Sequence, residues 1–230
     1  MYPTAIDKFV AQPYVEDRRR ELDQEMAIVL APFHKSDWDE KLLARMPANW
    51  VAALGCSTAN EAIAELGWLK VEKFMPQTVS ALCKKLAGLG VMIPQDGDAS
   101  LLYFFLIDGE VSVFEGLLPA HLSASDQPRP SDVRVFQSVH DGWFDFFSGD
   151  VGPMPEEEWP VIGASRSDGA TLIGVASKGS ALAGFEPGEA GMPPRVLWPD
   201  DGSVEIPKSL FATIDEWVAA ALAPAEAQDH

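Results

Sequence analysis

Seven consecutive apolar residues, Leu101–Ile107 (LLYFFLI), stand between two turn signals and most constrain what this chain can become. No uninterrupted apolar stretch of the chain is longer, Trp217–Ala223 equalling it, and both fall far short of the roughly 20 residues needed to cross a bilayer as a helix. The aromatic content of Leu101–Ile107 predicts a strand instead. Asp108-Gly109 follows as a tight-turn pair, and Val111-Ser112-Val113-Phe114 is the expected hairpin partner. An Asp96-Gly97-Asp98 turn leads in from the other side.

Upstream of this hairpin the pattern is helical. Leu22, Met26, Val29 and Leu30 fall on one stripe of a helix expected over Val15–Ala31, with Pro13 just ahead of it. Ser36-Asp37-Trp38-Asp39 resembles a capping box, followed by Leu42, Leu43 and Met46. Thr58-Ala59-Asn60-Glu61 is a better one: the Thr hydroxyl can accept an orphan amide while Glu61 reaches back. It opens a helix that buries Ala62, Ile63 and Leu66. A further helix is expected from Gln77 to Leu89, with Val79, Leu82, Leu86 and Leu89 inward and Gly88 and Gly90 ending it.

Downstream, residues 123–130 read as a polar linker, and Ser131 is expected to cap a short helix with Val133, Phe136 and Val139 on its apolar face. Short strands follow at Trp159–Ala164, Thr171–Ala176, Ala181–Phe185, Arg195–Trp198 and Ser203–Ile206. Turns such as Ser167-Asp168-Gly169 and Asp200-Asp201-Gly202 separate them. Ser209 opens a closing helix whose apolar stripe, Leu210 to Leu222, must dock on something, most simply a sheet face. The order predicts an α+β fold: a mixed or antiparallel sheet packed by helices, with a helical amino-terminal region over residues 1–95 and an α+β domain over 96–230, or one continuous domain.

With 47% hydrophobic and 23% charged residues in 230, the chain can bury a real core without a disulfide or metal. Cys56 and Cys83, the two cysteines, are expected as buried free thiols. The amino terminus lacks a basic start followed by an apolar stretch, which predicts a cytoplasmic protein without a cleaved signal. The net charge is −18 and is unevenly placed: residues 1–90 carry 11 basic and 12 acidic residues, residues 91–230 carry 6 and 23. Such a surface repels phosphate backbones and anionic lipid, which argues against nucleic-acid and membrane binding and favours a basic protein partner.

Catalytic signatures are sparse. Gly163-Ala164-Ser165-Arg166-Ser167 fails the nucleophile-elbow pattern at its last position, and no Walker loop, His-Glu-x-x-His or Cys-x-x-Cys occurs. His140-Asp141 with Asp145 and Asp150 is the one cluster that would serve a metal or acid–base chemistry. Trp143, Phe144, Phe146 and Phe147 between them favour a core-packed segment with its carboxylates in solvent. Glu156-Glu157-Glu158 reads as a solvated face, or as an attractor for a basic surface. No cofactor or metal is expected.

Pro130–Trp143 (PSDVRVFQSVHDGW), a proline-led short helix ending in an Asp-Gly step and a Trp, resembles the SUKH superfamily. Ile162–Val175 is similar to its strand, Asp-Gly turn and strand. Pro194–Ile206 is similar to its late hairpin, and Ser209–Leu222 to its closing helix, although Leu210 interrupts the usual Ser-Phe opening. The resemblance spans about residues 125–222. It implies function by binding and no catalytic residues. Many bacterial members are immunity proteins against toxins of contact-dependent or type VI-like secretion systems, and others are regulatory modules. The expected partner is thus a cognate toxin, such as a basic nuclease, contacted through Asp141, Trp143, Asp145, Asp150, Glu156, Glu157 and Glu158. The alternatives are a regulatory interaction module without a toxin, and a hydrolase built on His140 and its carboxylates.

Overall fold

The structure, a computed structural model, describes residues 27–30, 40–94, 97–120, 129–162, 171–188, 192–198, 200 and 202–224. The apolar run forms β3 (Ser100–Ile107), and Glu110–Gly116 returns antiparallel to it as β4. Together with β1 (Ala27–Leu30), β2 (Leu86–Ile93) and β5 (Trp143–Asp145), these strands make a five-stranded sheet in the order β1-β2-β3-β4-β5. Both faces of β3 are covered. Leu101, Tyr103 and Phe105 enter the main core, while Leu102 and Phe104 join a smaller cluster with Met92, Val113 and Phe146. This double burial is why the run shows no polar alternation.

Two expectations for the amino-terminal region need correction. Residues 27–30 of the expected helix are strand β1, paired with β2 from Ala27↔Ile93 to Leu30↔Gly90. The expected helix to Leu89 ends at Lys85, and Leu86–Ile93 is strand. That segment is buried on both sides between β1 and β3, so pairing overrides the helical spacing of Leu86 and Leu89. Gly88 sits at a register shift between Leu86 and Gly88, where a glycine suits a bulge and does not mark a helix end. The rest of the expected Val15–Ala31 helix, the Ser36–Asp39 box, linker residues 123–128 and the Ser167-Asp168-Gly169 turn lie outside the described residues.

The helices are α1 (Glu40–Leu43), α2 (Ala48–Leu54), α3 (Ala59–Leu66), α4 (Pro76–Lys85), α5 (Ser131–Gln137) and α6 (Leu210–Ala221). The expected box opens α3: Thr58 Oγ1 accepts from the Glu61 amide at 3.3 Å, and Glu61 Oε2 accepts from the Thr58 amide at 3.2 Å. Ser209 caps α6 as expected, accepting from the Ala212 amide at 3.4 Å. Ser131 does not cap α5. It is the first helical residue after Pro130, whose fixed φ already suits that position.

The remaining strands are β6 (Gly152–Pro153), β7 (Val161–Ile162), β8 (Leu172–Lys178), β9 (Ala181–Phe185), β10 (Pro194–Trp198) and β11 (Ser203–Glu205). They form a second antiparallel sheet in the order β11-β10-β9-β8-β6, with β7 beside β8. The sheets meet where β5 passes β6, and the Asp145 amide donates to the Asp150 carbonyl at 2.8 Å. Gly152, at φ +149°, is required there, since a Cβ would lie 2.1 Å from the Trp143 carbonyl oxygen.

Helices α4 and α6 run in the same direction and are fastened at both ends. No side chain near Met75 caps α4; instead the buried Asp215 carboxylate of α6 accepts from the amides of Gln77 (3.0 Å) and Thr78 (2.7 Å). At the far end Lys85 Nζ donates to the Leu222 carbonyl at 2.6 Å, satisfying the α6 carboxy terminus. Strands β2 and β3 are paired antiparallel along their length, and one buried cluster draws side chains from Met46 through Leu222.

Candidate functional site

The residues singled out for function divide into an inward node and an outward turn. His140, just after α5, is wholly buried among Trp50, Trp68 and Tyr103. Its Nδ1 lies 2.7 Å from the Leu117 carbonyl oxygen, which can only accept, so Nδ1 carries the proton. Nε2 then accepts from the Tyr103 hydroxyl at 2.6 Å, and the Tyr103 oxygen accepts from Trp68 Nε1 at 2.8 Å. Each polar atom of this chain has a partner of the right sense. Burial pushes the His140 pKa down to about 4, and it pushes the Tyr103 hydroxyl far above its usual range. A neutral imidazole locked between a phenol and a carbonyl supports the core. The neighbouring Gly116 must be glycine, because a Cβ there would stand 2.6 Å from the ring.

Trp143 belongs to the same core. It stacks on Phe114 with ring centroids 4.5 Å apart and meets Trp68 edge-on at 4.9 Å. With 0% of its surface exposed it offers nothing to a partner, which corrects its placement among the contact residues. Phe146 is buried too, in the smaller cluster on the opposite face of the sheet.

The carboxylates expected to lie in solvent are largely engaged within the protein. Asp145 Oδ1 accepts from the amides of Phe147 (3.1 Å) and Ser148 (2.8 Å) and from the Ser148 hydroxyl (2.9 Å), shaping the turn after β5. Asp150 accepts from Ser177 Oγ at 2.5 Å and from the Gly179 amide, tying that turn to β8. Asp141 Oδ1 accepts from Gln137 Nε2 at 3.0 Å and from the Glu156 amide at 3.4 Å. Burial raises its pKa above the usual carboxylate range, against the pull of those bonds. His140 thus sits in a hydrogen-bond network apart from that of Asp145 and Asp150, which are linked to each other through Ser148. Among the described residues no group of three or more His, Cys, Asp or Glu is placed to hold a metal. Cys56 and Cys83 are free and half-buried, in place of the full burial expected.

The outward turn is the short 3₁₀ segment Glu156–Glu158. Glu156 pairs with Arg129, itself buried, whose Nη1 also donates to Gln137 Oε1 at 2.8 Å. The guanidinium lies 5.5 Å from the Trp159 ring centroid, and Trp159 Nε1 donates to the Met154 carbonyl at 3.0 Å. The segment is thus anchored at its base by Glu156 and Trp159. Glu157 and Glu158 are exposed, and Val161, three residues on, is 67% exposed. Of the seven expected contact residues, these two glutamates face solvent most fully. Sequence reasoning missed Arg129 and Gln137, although an arginine in a region so poor in basic residues is a signal of a fixed partner.

Among the described residues no helix is long and apolar enough to cross a membrane. No family model, curated protein or solved structure matches the chain.

Proposed function

We propose that the chain is an immunity protein, which binds a cognate, basic, secreted bacterial toxin such as a nuclease and neutralises it by covering its active site or surface. The observation that most supports this reading is the anchored acidic turn. Glu157 and Glu158 are exposed a few residues before the exposed Val161, next to Glu156, which pairs with Arg129. Negative charge steers a cationic partner to the surface and disfavours anionic competitors. An exposed apolar residue close by in sequence supplies area to desolvate, and an anchored base spares part of the ordering cost of binding. The resemblance of residues 125–222 to SUKH proteins supports the same class of function. Seclusion of His140 in the core supports binding over the hydrolase alternative, since a substrate has no access to that imidazole.

Co-expression with the product of the adjacent gene tests the reading. The expected result is restored growth and a stoichiometric complex that weakens as salt is raised. Failure of both rescue and complex formation would overturn it, and several weak partners in place of one would favour a regulatory module.

A further inference from the structure

A cleft of about 540 Å³ lies between the β10–β11 hairpin and α6, away from the acidic turn in sequence. Its walls follow from register. Val196 pairs with Glu205 and Trp198 with Ser203, so Trp198 and Glu205 share one face of the hairpin. Helical spacing sets Thr213, Glu216 and Trp217 together on α6. Two indoles and two carboxylates therefore line one cavity, with Lys208 also on its wall. Glu205 and Glu216 are exposed while Trp217 is 7% exposed, so charge stands outside and aromatic surface within. Ile206, 73% exposed, follows Glu205 directly.

We infer that this cleft receives an arginine side chain presented by a basic protein partner. A guanidinium is the group these walls suit together: it stacks flat on an indole and offers paired N–H donors to a carboxylate. An aliphatic side chain would leave the glutamates unused, and an anion would meet two carboxylates against one lysine. The identity of the partner rests on the immunity reading, but the chemistry of the cleft does not.

The full-length protein is titrated with the peptide acetyl-Gly-Arg-Gly-amide, following the indole N–H resonances of Trp198 and Trp217 by NMR. The neutral citrulline peptide is the control. The arginine peptide should shift both resonances, and the citrulline peptide should not at equal concentration. Joint Glu205→Gln and Glu216→Gln substitution should weaken binding about tenfold, whereas Lys208→Met should strengthen it about twofold. Equal response to the two peptides, unchanged affinity in the double glutamine variant, or weaker binding in Lys208→Met would overturn the inference. Arginine binding without any toxin complex would leave the cleft standing and remove the immunity reading. A toxin complex with unmoved indoles would do the reverse.

Discussion

Around His140 the ring nitrogens and their phenol and indole partners are closed on one another inside the protein, whereas at Glu157 and Glu158 the carboxylates face water. The two regions are near in sequence and rich in the residue types that carry chemistry. Burial assigns their work. A titratable group with both ends satisfied in the core holds the fold together, and one left outside on an anchored base is available to a partner.

Removing the buried imidazole should give the largest effect. His140→Ala leaves a cavity among three aromatic rings and deprives the Tyr103 hydroxyl and the Leu117 carbonyl of partners, which should cost about 3–5 kcal/mol in urea unfolding. The acid response sharpens the same point. The folded imidazole titrates near pH 4 and the unfolded one near 6.5, so the unfolded chain takes up its proton first. The stability held by the neutral ring is complete above about pH 6.5 and is lost as pH falls towards about 4, by about 3 kcal/mol. Asp141 acts in the opposite sense, because its raised pKa lets the folded state take up a proton early. His140→Ala should flatten the slope between those pH values, and an unchanged slope would show that the ring is not the group responsible.

Much of this contrast is legible in the sequence. The Leu101–Ile107 strand, its hairpin, the Thr58–Glu61 box and the closing helix depend on near neighbours, and local pattern reports them well. Leu86–Leu89 reads as helix because its strand character comes from partners elsewhere in the chain, chiefly in 100–107. Trp143 reads two ways in sequence, as core with Phe144, Phe146 and Phe147 and as a binding anchor beside the neighbouring carboxylates. Only the packing of Trp68 and Phe114 around it settles its place. Asp215 carries no local signal at all, since the helix it caps begins more than a hundred residues earlier. Asp215→Asn keeps the shape but places an amide group where a second acceptor is needed. It should lower stability by about 2 kcal/mol in chemical denaturation, and a neutral outcome would mean that α4 is held by its apolar face alone.

The smallest effect on folding is expected at the turn, and there the comparison is most exposed to failure. Glu157→Lys with Glu158→Lys should change stability by no more than about 0.5 kcal/mol, because both side chains lie in solvent. Association with a basic partner should slow by about tenfold and lose much of its salt dependence, because rim charges act on encounter more than on the docked complex. Glu156→Gln, one residue away, should behave in the opposite manner. It takes the Glu156 charge from the buried Arg129, so it should destabilise the fold by about 2 kcal/mol while leaving the outer charges in place. Calorimetry and stopped-flow binding on the two variants would separate the roles. If the double reversal unfolded the protein, or Glu156→Gln altered only binding, the division between an anchoring glutamate and two presenting ones would be wrong.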